Sequence, residues 1–244
     1  MTAGQSRLLH GKRLIIFDMD GTLIDSVGMW NETDGALIRQ LGGDDGDGPE
    51  IGLRRDALLR RFRAEPNPYA AYCRWIGEYC GSPLSVEDIL TARDRIAREK
   101  LVHEIRYKEG APEMIRFLHG AGRTLVIATT TRRKNMDVYR LQNENIRSAA
   151  KIDDYFAAVY TREDVAVVKP SPEVHEKILA HFHARREECL IFEDSLTGVM
   201  AARAAGIDAA AMYDVYSKAD QEEIRRRSAW HFQNWKEALA AAKS

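Results

Sequence analysis

Short apolar runs that each stop on a polar residue constrain the fold of this chain more than any other feature. Arg13–Phe17 (RLIIF) stops at Asp18, Thr124–Ala128 (TLVIA) at Thr129, and Cys189–Phe192 (CLIF) at Glu193 and Asp194. Phe156–Tyr160 and the weaker Ile207–Met212 continue the series. Amphipathic stretches near 112–121, 132–142, 172–184 and 195–205 lie between the runs. Strands alternating with helices predict βαβ units, hence an α/β fold with a parallel sheet covered on both faces. Such sheets bind ligands at the carboxyl ends of their strands. The polar residues that close the runs are therefore expected to converge on one crevice.

The interval between the first two runs is far longer than a crossover needs. Within residues 28–105, the stretches 29–41, 55–63, 68–80 and 85–103 have helix-forming composition with apolar positions at helical spacing. Pro66 and Pro68 mark one break; Gly81, Pro83 and Ser85 mark another, and Ser85 with Asp88 is placed like a capping box. The expected organisation is a core from 1–27 and 106–244 and a helical domain from 28–105, with hinges near Ser26 and near Tyr107–Gly110. The patch Gly42–Gly48 (GGDDGDG) lacks the spacing of a calcium-binding EF-hand and is expected to be a solvated loop.

Lys plus Arg number 36 against 37 Asp plus Glu, so nothing in the charge balance points to nucleic acid or an anionic membrane as partner. Three cysteines without a paired framework suit a reducing compartment. Met1–His10 is polar, without the apolar stretch of a signal peptide, and no apolar run is long enough to span a bilayer. A cytoplasmic protein, monomer or weak homodimer, is expected.

The string Asp18-Met19-Asp20-Gly21-Thr22 directly after an apolar run carries the chemistry. A carboxylate at a buried strand end is costly unless it meets a cation or hydrogen bonds. Two carboxylates at i and i+2, followed by glycine, suit a tight turn that aims the two groups differently. One can attack phosphorus and the other can carry a proton, and an aspartate nucleophile is an established route to covalent phosphoryl transfer. Asp-Gly alone is common in turns, so the apolar run before it matters.

The stretch from Asp18 to Ser26 (DMDGTLIDS) resembles the first motif of the haloacid dehalogenase-like superfamily, and within it the β-phosphoglucomutase and phosphoglycolate phosphatase branch. Thr129 matches the second-motif hydroxyl, Lys169 in VVKPSP the third-motif lysine, and IFEDSLTG around Glu193 and Asp194 the acidic fourth motif. The resemblance covers roughly 13–27 and 106–215 and implies a Rossmann-like core with a helical cap inserted after the first motif. It further implies Mg2+ held by Asp18, Asp194 and the backbone carbonyl of Asp20, with Glu193 assisting. Asp18 would be the nucleophile and Asp20 the acid/base. Lys169 and Thr129 would hold the phosphate, with Thr130 and Arg132 lining the pocket beside them. The acid at Asp20 favours phosphate esters over dehalogenation, and the implied partner is a small phosphorylated metabolite.

The domain at 28–105 is expected to choose the substrate. Arg54, Arg55, Arg60, Arg61 and Arg63 cluster there, and Arg55 matches a position that in β-phosphoglucomutase reaches a distal phosphate. The mutases also place a histidine in the first cap helix to hold the acid/base, and Trp30 stands at that position here. A phosphatase is therefore the favoured reading. A β-phosphoglucomutase-like mutase and a catalytically silent phosphate-binding protein are the alternatives.

Overall fold

The computed structural model describes residues 8–46, 48–62 and 64–244. The polar start before Leu8, Asp47 of the glycine-aspartate patch and Arg63 lie outside the described residues. The chain divides into two compact units, one built from the chain up to Asp25 together with Ile105–Ser244, the other from Ser26–Glu104.

The larger unit holds a parallel six-stranded sheet of strands β1 (Leu14–Phe17), β2 (Thr124–Ala128), β3 (Ala158–Tyr160), β4 (Cys189–Glu193), β5 (Asp208–Met212) and β6 (Trp230–Phe232). The spatial order is β3-β2-β1-β4-β5-β6. This is the Rossmann-type α/β architecture expected for the core. The strands are apolar on both faces because both faces are covered. Leu14, Ile16, Val126 and Ile191 form one cluster with Val174, Ile178, Val199 and Ile224, which come from helices on that side. On the opposite face Phe17 stacks on Phe192 with centroids 5.2 Å apart, and Trp235 packs at 5.9 Å and 5.0 Å from the two rings.

The smaller unit is helical: α1 (Val27–Gln40), α2 (Gly48–Arg61), α3 (Pro68–Tyr79) and α4 (Val86–His103). Leu37, Ile38, Leu58, Tyr72, Ile76 and Ile89 form its apolar core. Ser85 caps α4 as expected, accepting the Asp88 amide at 3.1 Å. The helix expected at 55–63 instead starts at Gly48. The glycine and proline at 48 and 49 disguised its start, yet proline is tolerated in a first turn, where its missing N–H has no intrahelical partner. The larger unit also contains α7 (Glu144–Ala150), α8 (Ile152–Tyr155) and β6, which the sequence periodicity did not announce because each is only a few residues long. Its remaining helices are α5 (Ala111–Gly120), α6 (Arg133–Leu141), α9 (Glu173–His181), α10 (Leu196–Ala204), α11 (Gln221–Arg227) and α12 (Trp235–Lys243). Among the described residues no helix is long and apolar enough to cross a membrane.

Candidate active site

Strand register builds the site. Phe17 pairs with Ile127 on one side and Phe192 on the other, so β1, β2 and β4 end at one level. Asp18 follows Phe17, Glu193 follows Phe192, and Thr129 comes two residues after Ile127. The Asp18 amide donates to the Phe192 carbonyl at 2.9 Å and so carries the pairing one residue beyond β1.

Three carboxylates, Asp18, Glu193 and Asp194, are buried and present oxygens within 4.8 Å of one another. Lys169 crosses to them from the loop before α9. Its Nζ donates to Asp18 Oδ1 at 2.6 Å and to Glu193 Oε1 at 3.0 Å. With every group ionised, three negative charges meet one positive charge in a place that water barely reaches. Burial, then Glu193, pushes the Asp18 carboxyl up to about 8, against the opposing pull of Lys169. Burial, Glu193 and Asp18 likewise hold the Asp194 carboxyl well above the usual carboxylate range. For Lys169 burial works against the charge, but Asp18 and Glu193 outweigh it and the ammonium stays firmly protonated.

Each acid is held in place. Thr22 Oγ1 donates to Asp194 Oδ1 at 2.7 Å. Glu193 Oε2 accepts the Asp194 amide at 2.9 Å. Gly21 makes the turn of the first motif with φ +83°, and a Cβ there would stand 2.5 Å from Asp194 Oδ2. Only glycine meets both demands. Gly198, in the first turn of α10, leaves the space that the Glu193 carboxylate fills.

The described residues contain one group of acids able to hold a metal ion, and its donors are all carboxylate oxygens. Hard oxygen donors with excess negative charge fit Mg2+, which takes one or two carboxylates and keeps several waters. Thr129 is buried at the same strand ends, and its Oγ1 accepts the Thr131 amide at 3.1 Å, leaving the hydroxyl proton to donate elsewhere.

Asp20, half buried, joins the group from the motif turn. Thr131 Oγ1 donates to its Oδ2, and the Tyr139 hydroxyl donates to its Oδ1 at 3.5 Å. Neither contact was foreseen from the sequence. A hydroxyl three residues past a strand end and a tyrosine in the next helix carry no motif. Thr130 and Arg132 are exposed residues of the loop after β2. Arg55 belongs to the smaller unit, where its Nη1 donates to Asn31 Oδ1 at 3.0 Å and meets Asp34 Oδ2 at 3.4 Å. Arg93 Nε reaches the other oxygen of Asp34 at 2.7 Å, and its guanidinium lies 5.4 Å from the centroid of the Trp30 ring.

Residues 15–212 match the haloacid dehalogenase-like hydrolase family. The chain is 28% identical over 217 residues to protein CbbY of Cupriavidus necator, with 86% of this chain and 81% of that protein covered. It is 26% identical to the phosphorylated carbohydrates phosphatase of Thermotoga maritima, with 80% and 82% covered. The crystal structure of CbbY from Rhodobacter sphaeroides in complex with phosphate has the same fold, with a TM-score of 0.68 at 23% identity over 96% of this chain and 100% of that one.

Proposed function

Because the chain belongs to the haloacid dehalogenase-like hydrolase family, we propose that it is a Mg2+-dependent phosphatase that hydrolyses a small phosphorylated metabolite through an aspartyl-phosphate on Asp18. The observation that carries this reading is the buried trio Asp18, Glu193 and Asp194, with Lys169 bound to the first two. Uncompensated buried carboxylates are expensive, and a divalent cation would offset the two negative charges that three carboxylates and one ammonium leave over. Bound Mg2+ would keep Asp18 ionised and neutralise charge on the transferred phosphoryl group.

Asp18 attacks phosphorus through a carboxylate oxygen, and the bond from phosphorus to the ester oxygen breaks. The leaving oxygen keeps the electron pair and takes a proton from the Asp20 carboxyl group. Water then attacks the phosphorus of the acyl phosphate, its proton passes to the Asp20 carboxylate, and the Asp18 carboxylate departs with its electron pair. Alcohol and inorganic phosphate are the products, and both aspartates return to their starting state. Lys169 balances charge on Asp18 and on the phosphoryl oxygens, and Thr129 donates to one of those oxygens.

Residues 28–105 act in this reading as a cap that selects the substrate, with Arg55, Thr130 and Arg132 as contacts to it. The Thermotoga maritima relative named for phosphorylated carbohydrates makes a sugar phosphate the favoured class. Hydrolysis is favoured over mutase chemistry because Trp30, the residue at the mutase histidine position, lies against the Arg93 guanidinium and offers no imidazole to the acid/base. The complete set of Asp18, Asp20, Lys169 and Asp194 argues against a silent binding protein. Phosphate release from p-nitrophenyl phosphate with Mg2+ tests the reading. Wild type should turn over and Asp18→Asn should not; activity that survives Asp18→Asn removes the mechanism.

A further inference from the structure

We propose that Thr131 and Tyr139 are positioning residues for Asp20, a hydroxyl clamp that holds the carboxyl group on the line between leaving oxygen and attacking water. This rests on the phosphatase reading and adds to it the residues that aim the acid/base. The two oxygens of Asp20 are gripped from two different elements. Thr131, in the loop after β2, donates to Oδ2, and Tyr139, in the second turn of α6, donates to Oδ1. With both oxygens tied, rotation of the carboxyl group breaks at least one hydrogen bond.

The clamp is itself fixed. The Thr131 amide donates to Thr129 Oγ1 at 3.1 Å, and its carbonyl accepts the Arg162 amide at 3.2 Å. Tyr139 is fully buried, with Met136 and Val138 of the same helix buried beside it in sequence. A buried tyrosine normally gives its hydroxyl a partner, and here that partner is a carboxylate of the site.

Hydroxyl groups suit this task better than amides or cations. A hydroxyl both donates and accepts. The two clamps can donate while Asp20 is a carboxylate, and either can turn to accept once Asp20 carries the proton. The acid/base stays in one place through both halves of the reaction. The restraint comes from the same unit that carries Asp18.

A misplaced general acid harms esters in proportion to how much their leaving oxygen needs a proton. General acid–base catalysis is typically worth about 10²–10⁴-fold. The test compares kcat/KM for phenyl phosphate with kcat/KM for p-nitrophenyl phosphate, at saturating Mg2+, in wild type, Thr131→Val, Thr131→Ser and Tyr139→Phe. The ratio of phenyl to p-nitrophenyl should fall about tenfold in Thr131→Val and in Tyr139→Phe, and Thr131→Ser should restore it. Tyr139→Phe keeps the ring in its packed place, so it carries the test should Thr131→Val fail to fold. A ratio unchanged in both variants, with wild type active on both esters, overturns the clamp and leaves the phosphatase reading standing. A wild type that releases phosphate from neither ester overturns both.

Discussion

Lys169 Nζ stands 2.6 Å from Asp18 Oδ1, joining by one hydrogen bond two residues 151 positions apart in the chain. The same ammonium touches Glu193 at 3.0 Å, and all three groups are buried. A buried ion pair adds little to stability by itself, because desolvation offsets most of the attraction. In the proposed reaction its use is to hold a positive charge beside the carboxylate that attacks an anion.

Replacing Lys169 should therefore cost rate. Lys169→Met is expected to lower kcat for phosphate release by about 10²–10³-fold, the usual loss when one preorganised charge-stabilising donor is removed. Lys169→Arg should not restore it, since a planar fork does not fit the place of a point charge on a flexible stem. Steady-state kinetics with p-nitrophenyl phosphate and Mg2+ check both.

Cation binding should be linked to pH in a definite direction. In the metal-free protein, burial and then Glu193 push Asp18 up to about 8, far above its ordinary 3.8. A carboxyl group whose folded value is raised favours the folded state below its ordinary value, and that contribution is lost as pH rises toward 8. Mg2+ competes with the retained proton, so it should bind more tightly and stabilise more as pH rises from 6.5 to 8. The Mg2+-induced rise in Tm is expected to be about 2–4 °C larger at pH 8, corresponding to roughly 1 kcal/mol for a chain of this size. Thermal scans with and without Mg2+ measure it, and Asp194→Asn should abolish the Mg2+ effect at both pH values.

What could be read from the sequence follows from how buried parallel strands look. β2 was bounded correctly because a strand apolar on both faces reads as an unbroken run. Once three such runs lie side by side, Asp18, Thr129, Glu193 and Asp194 follow at their ends. β6 escaped because its three residues carry no period. Thr131 and Tyr139 escaped for another reason: their contact with Asp20 spans 111 and 119 residues and depends on where the first turns of α6 point. Propensity and spacing hold no trace of such a contact.

Arg55, one of the arginines clustered between 54 and 63, shares a carboxylate with Arg93 of α4. Asp34 is fully buried, with Arg93 Nε 2.7 Å from one oxygen and Arg55 Nη1 3.4 Å from the other. Asp34→Ala strands a buried guanidinium and should destabilise the protein by about 3–5 kcal/mol in a denaturant titration. Arg55 is less enclosed than Arg93. Arg55→Ala is expected to raise KM for a sugar bisphosphate at least tenfold while changing KM for p-nitrophenyl phosphate by less than about threefold, the tenfold factor corresponding to about 1.4 kcal/mol.

His175, in α9, is fully buried, and among the described residues neither of its ring nitrogens has a hydrogen-bond partner. Burial, then the charge of Lys169, pulls its imidazole down from 6.5 to about 3. The folded protein therefore keeps the ring neutral while the unfolded chain takes up a proton below pH 6.5. Stability contributed by the neutral ring is complete above pH 6.5 and is lost as pH falls toward 3, at up to about 1.4 kcal/mol per pH unit. Between pH 6.5 and 5 this amounts to about 2 kcal/mol. His175→Leu, which removes the unpaired polar ring and the proton together, should be neutral or stabilising at pH 7. It should also gain about 2 kcal/mol on wild type by pH 5. Urea unfolding at the two pH values measures the difference, and parallel curves for wild type and variant would show that the imidazole is not held neutral.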